Sequence, residues 1–107
     1  MSRIYLSPPS IGESEKAAVA HALESGWVAP IGPEIDAFES ELATQAGRSH
    51  AVALTSGTSA LHLGLLALGV VPSDEVIVPT LTFGATAFAV VHAGARPVFL
   101  DVEEESW

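Results

Sequence analysis

Ala51-Val52-Ala53-Leu54-Thr55-Ser56-Gly57-Thr58-Ser59-Ala60-Leu61 is the stretch on which the fold turns. Four apolar residues without alternation read as a short buried strand. A hydroxyl-rich turn follows, and Thr58 to Leu68 then carries the spacing of a helix. The succession recurs downstream, with Glu75 to Pro79 as a strand, Phe83 to His92 as a helix and Pro97 to Val102 as a strand. Short apolar runs alternating with helices predict an α/β fold, β-α-β-α-β with parallel strands. Neither helix has a clean polar face: Ala60, Leu61, Leu63, Leu65, Leu66 and Leu68 surround the first, and Ala85, Ala87, Phe88, Ala89, Val90 and Val91 the second. A helix that is apolar all round has to be covered on more than one side, and parallel strands need cover on both faces.

Upstream the character differs. Gly12 through Glu24 reads as a helix with Val19 and Leu23 on one face, stopped by Gly26. Trp27 to Gly32 is a loop, and Pro33 suits the first position of a second helix. Ile35, Phe38, Leu42 and Ala46 follow at three- and four-residue spacing, and Gly47 ends the element. Glu34 and Asp36 complement the positive end of its dipole. The expected organisation is a helical segment over 1–47 and an incomplete α/β domain over 48–107. The chain stops at Trp107 with no helix to close the last strand, and the uncovered helices give it the look of a piece of something larger.

Its 107 residues fit one small domain. Hydrophobic residues make up 49% and charged residues 16%, which excludes disorder over most of the length. Four Lys and Arg face 13 Asp and Glu, a net charge of −9 that argues against binding a nucleic-acid backbone. With no cysteine there is no disulfide framework, thiolate zinc site or Cys nucleophile. Met1 to Leu6 lacks the apolar core of a secretory leader, so a cytoplasmic address is expected. Residues 49–73 and 76–95 carry no charge, and each is long enough to suggest a membrane span of about 20 residues. The first run, however, opens on polar, turn-rich sequence and the second holds Pro79, so no membrane association is expected. His21, His50, His62 and His92 have no spacing that sets two of them on one helix face as metal ligands.

The turn between the first strand and its helix carries the chemistry. A helix start presents unpaired N–H groups and the positive end of the macrodipole. Hydroxyls from Ser56, Thr58 and Ser59, with Gly57 allowing close backbone approach, would make an anion cradle suited to phosphate. Neither a Gly-x-x-x-x-Gly-Lys-Ser/Thr loop nor a Gly-x-Ser-x-Gly elbow is present. Local residues also admit a plainer reading, in which Ser56 caps the helix and the glycine makes a turn.

Ser-Gly-Thr-Ser-Ala-Leu-His-Leu (56–63), Asp-Glu-Val-Ile-Val-Pro-Thr-Leu-Thr-Phe-Gly-Ala-Thr-Ala (74–87) and Gly-Ala-Arg-Pro-Val-Phe-Leu-Asp-Val (94–102) stand in order. Together with Gly26-Trp27, Gly32-Pro33 and Phe38-Glu39, they resemble the N-terminal part of the DegT/DnrJ-type sugar aminotransferases. Those enzymes are of fold type I and depend on pyridoxal 5′-phosphate (PLP). The resemblance covers essentially the whole chain. It implies the front of a type I large domain and an enzyme moving an amino group from an amino acid, usually glutamate, to a nucleotide-linked keto sugar, in a homodimer with the active site near the subunit interface. It places the cofactor phosphate on Gly57, Thr58 and Ser59, and the aromatic that stacks on the pyridine ring on Phe83; core packing is the plainer role for that Phe. The Schiff-base Lys of the resembling family falls outside this chain, whose only lysine, Lys16, lies on an early helix and matches no cofactor position. Asp101 is expected as a strand-end or substrate-side residue, not as the partner of the pyridinium nitrogen. Two alternatives stand beside the aminotransferase: a PLP-dependent sugar dehydratase of the same family, with His replacing the Schiff-base Lys, and a catalytically dead fragment or binding module.

Overall fold

A computed structural model describes residues 4, 5 and 7–106. Residues 1–3 and 6, which carry most of the expectation about a leader, lie outside the described residues, as does residue 107. The chain forms two compact units, 1–53 and 54–107.

The first unit holds two helices, α1 (Glu13–Glu24) and α2 (Pro33–Gln45). Glu15 starts α1 by reaching back to accept from the Gly12 N–H at 2.6 Å. This is one half of a capping box, the other half being closed to a residue without a side chain. Pro33 occupies the first turn of α2, where its missing N–H costs nothing. Before it, Gly32 has φ +140°, and a Cβ there would come within 3.1 Å of the Trp27 ring. That backbone region is open essentially to glycine alone. The helices are joined at the side-chain level by His21 Nδ1 and Glu34 Oε1, 2.9 Å apart. Ala43 is the one buried hydrophobic of this unit among the described residues.

The second unit runs α3 (Gly57–Ala67), β1 (Glu75–Pro79), α4 (Gly84–His92) and β2 (Arg96–Leu100). The strands pair in parallel, from Glu75 with Arg96 to Pro79 with Leu100. An ion pair between Glu75 and Arg96 sits on the first rung. Val78, Val90 and Ala95 form the core, with Leu65, Val70 and Val76 against it. Gly94, at φ +79°, lets the chain turn from α4 into β2 while the Ala95 N–H returns to the Val90 carbonyl at 3.1 Å. Alternation along β1 is plain: Val78 is 3% exposed and Ile77, on the opposite face, 67%. α3 buries none of its residues completely. The expectation that these elements require further cover therefore matches their observed surfaces. No helix among the described residues is long and apolar enough to cross a membrane.

The expected first strand, Ala51 to Leu54, does not form, so the sheet has two strands rather than three. A strand exists only as part of a ladder. Among the described residues no segment pairs with this one, and its Ala53 N–H donates instead to Glu39 Oε1 at 2.7 Å. Apolarity without a neighbouring edge leaves extended chain.

Candidate functional site

Both helices of the second unit begin at one cleft. Its wall consists of Gly57, Thr58, Ala60 and Leu61 from the start of α3, with Thr82, Phe83, Ala85 and Thr86 from the start of α4, around about 650 Å³. That size lies within the range of small-molecule sites, roughly 300–1,000 Å³. None of these residues is charged, so in an acidic chain the local field comes from two helix N-termini, which favour an anion.

Ser56 is the N-cap of α3: its Oγ accepts from the Ser59 N–H at 3.1 Å and lies 3.0 Å from Ser59 Oγ. The plain capping role of Ser56 is thus realised. It uses up one first-turn amide and leaves others. Among the described residues the N–H groups of Gly57 and Thr58 meet no acceptor. Gly57 is informative in a second way. Its φ is not positive, and a Cβ built on it meets nothing within 4 Å, so neither strain nor crowding in the protein requires glycine here. Open space beside unpaired amides is what a phosphate approaching the backbone needs.

Three of the four sequence-selected residues, Gly57, Thr58 and Phe83, share this wall. Ser59 does not line it and turns its amide and hydroxyl toward Ser56, with Thr55 Oγ1 at 3.5 Å. Phe83 is 88% exposed, so it is not a core residue of this unit, and its ring face is free to stack. The wall therefore offers the unpaired amides of Gly57 and Thr58 to an anion and the exposed face of Phe83 to a flat ring, the two features that a phosphate with a ring attached could use. Lys16 is far removed in role. It lies on α1, exposed, 2.6 Å from Glu13 Oε1.

Sequence reasoning missed two arrangements. His62 on α3 and His92 on α4 meet edge to face, with ring centroids 5.8 Å apart. No group of three or more metal-ligating side chains occurs among the described residues. The second is a bond between Thr80 Oγ1 and Asp101 Oδ1 at 3.0 Å where the two strands end. Parallel register was the signal available for it, because residues following Pro79 and Leu100 must fall opposite each other.

Residues 9–107 match the DegT/DnrJ/EryC1/StrS aminotransferase family. The spore coat polysaccharide biosynthesis protein SpsC of Bacillus subtilis (strain 168) is 48% identical over 94% of this chain and 25% of its own length. GDP-perosamine synthase of Escherichia coli O157:H7 is 43% identical over 100% of this chain and 29% of its own. Among solved structures, Spr1654 from Streptococcus pneumoniae in its PLP form superposes with a TM-score of 0.83 at 39% identity, covering 98% of this chain and 26% of that one. The chain thus spans only about a quarter of the length of the relatives it matches.

Proposed function

The chain belongs to the DegT/DnrJ/EryC1/StrS aminotransferase family, and on that premise we propose that it carries the phosphate end of a PLP site in an aminotransferase acting on a nucleotide-linked keto sugar. The amino donor in this reading is an amino acid, glutamate in the first instance. Relatives that include a GDP-perosamine synthase support the sugar class, and the PLP form of a structural neighbour supports the cofactor. The whole enzyme is read as a cytoplasmic homodimer, in which further protein covers α3 and the open face of β1.

One observation carries the proposal: an uncharged cleft at two helix starts, where the unpaired amides of Gly57 and Thr58 and the empty space at Gly57 lie beside an exposed Phe83. When bound, PLP supplies the electron sink for amino-group transfer. The residues of this chain bind and orient. Amides of Gly57 and Thr58 and the Thr58 hydroxyl hold phosphate oxygens, the helix dipole offsets their charge, and Phe83 fixes the plane of the ring. In this reading the Schiff-base Lys of the family falls outside these residues, and the single lysine of the sequence, Lys16, is exposed beside Glu13 and matches no cofactor position of the motif. These residues alone are therefore expected not to transaminate.

Gly57→Ala tests the site directly. Alanine is at least as good a helix residue as glycine, so thermal stability should hold or rise slightly. PLP affinity, read by titration with inorganic phosphate as competitor, should fall about ten-fold or more, the scale of one hydrogen bond to a charged group. Unchanged affinity in a folded variant would sink the assignment.

A further inference from the structure

The strands β1 and β2 end level with each other, and the register that pairs Pro79 with Leu100 brings Thr80 opposite Asp101. The Thr80 N–H donates to the Leu100 carbonyl at 2.9 Å and extends the ladder by one bond. Beyond it the side chains take over. Thr80 Oγ1 donates to Asp101 Oδ1 at 3.0 Å, and the Val102 N–H donates to the same oxygen at 2.9 Å. One carboxylate thus ties the end of β1 to the chain leaving β2.

From Thr80 the backbone crosses to α4 through Leu81, Thr82 and Phe83. Among the described residues the amides of these three reach no acceptor. Their far end is fixed by Thr82 Oγ1 and Thr86 Oγ1, 2.8 Å apart, and by the Thr86 N–H donating to the Phe83 carbonyl at 3.0 Å. The segment is a short bridge hung between two anchors. Phe83 has no packing of its own to set its place, being 88% exposed, so its position follows from the anchors.

We infer that Asp101 is a positioning residue: through Thr80 it holds the Leu81–Phe83 bridge so that Phe83 faces the start of α3 across the cleft. This rests on the reading of Phe83 as the ring-stacking residue. It differs from a simple strand-end tie, because it assigns Asp101 an effect on ring binding and none on phosphate binding. Asn in its place keeps an oxygen that accepts both bonds, so the role needs an acceptor rather than a charge.

The experiment uses the cofactor-free chain and its titration with PLP and with inorganic phosphate. In Asp101→Ala the Thr80 amide should exchange roughly three- to ten-fold faster, the scale of one lost hydrogen bond, while the Thr86 amide is unchanged. PLP affinity should fall by a similar factor and inorganic phosphate affinity should not. Asp101→Asn should restore wild-type values, and Thr80→Val should reproduce Asp101→Ala. If Asp101→Ala unfolds the unit, Thr80→Val, which removes only one of the two bonds, is read in its place. Faster Thr80 exchange with undiminished PLP affinity would reduce Asp101 to a strand tie and overturn the inference. So would unaltered exchange, or failure of the Asn variant to rescue. A wild-type chain that binds neither PLP nor phosphate overturns the cofactor reading itself, and the positioning role falls with it, whatever the exchange data show.

Discussion

The two units of this chain reach order by different means. In residues 1–53 it comes from the ends of helices: a carboxylate on the Gly12 amide, a proline in the first turn of α2, a glycine at φ +140° beside Trp27. Their amphipathic faces, with Val19, Leu23, Phe38 and Leu42, remain exposed. In residues 54–107 order comes from closing a parallel pair of strands over α4, which buries Val78, Ala89, Val90, Ala93 and Ala95. The difference lies in connectivity rather than in apolar content. A helix pair buries apolar surface only where its faces meet, whereas a β-α-β crossover brings a helix back onto its own strands within about 25 residues and makes a core at once.

The sharpest way to break this comparison is to truncate one aliphatic side chain to alanine in each unit. Val90 is 2% exposed, and Val90→Ala should lower the stability of the second unit by about 2 kcal/mol, for two lost methyl groups and the cavity they leave. Leu23, 63% exposed, loses more atoms on replacement by Ala but should cost less than about 0.5 kcal/mol. Urea unfolding followed by amide exchange in each unit measures both. Equal costs would mean that the first unit has a core not visible in its surfaces.

A backbone change should reverse the sites of sensitivity. Gly32→Ala places a Cβ at φ +140° and 3.1 Å from Trp27, which calls for a loss of about 1–2 kcal/mol confined to the first unit. Trp27 fluorescence reports it locally, and amide protection across α4 should not move. Loss of α4 protection in that variant would show that the units do not respond separately.

How much of this was readable in the residues follows the same divide. All four helices, and the strands β1 and β2, were legible to within a residue or two because caps and glycine stops are local signals. The third strand was not, because Ala51 to Leu54 has a strand's composition and lacks a partner, and a ladder is a relation between segments. At the site, Gly57, Thr58 and Phe83 could be named from a motif, and the structure adds that they share one wall. Ser59 could be named as well, but only coordinates show its amide and hydroxyl facing Ser56. His62 and His92 lie 30 positions apart on different helices, so no spacing rule joins them. Thr80 and Asp101 were recoverable in principle, since parallel register extended by one residue puts them together.

The smallest expected effect belongs to the cap that starts α1, and it separates local from packed order most cleanly. Glu15 has its carboxyl held below the ordinary value of 4.5 by its own backbone N–H, the Gly12 N–H and the Ser14 hydroxyl, in that order, with burial opposing only slightly. The folded state therefore gives up this proton more readily than the unfolded chain. The contribution of the cap is fully present above about pH 4.5 and is lost as pH falls through the lower folded value. Gln at this position keeps an acceptor for the Gly12 N–H and does not titrate. Circular dichroism of wild type minus Glu15→Gln should show α1 helicity fading below pH 4.5 only in the wild type. The second unit has no part in this proton, so amide protection at Val78 and Val90 should be the same in both proteins at every pH. A pH-dependent difference there would mean that the end of α1 is read by the β-α-β core, and the contrast between locally ordered and packed units would have to be given up.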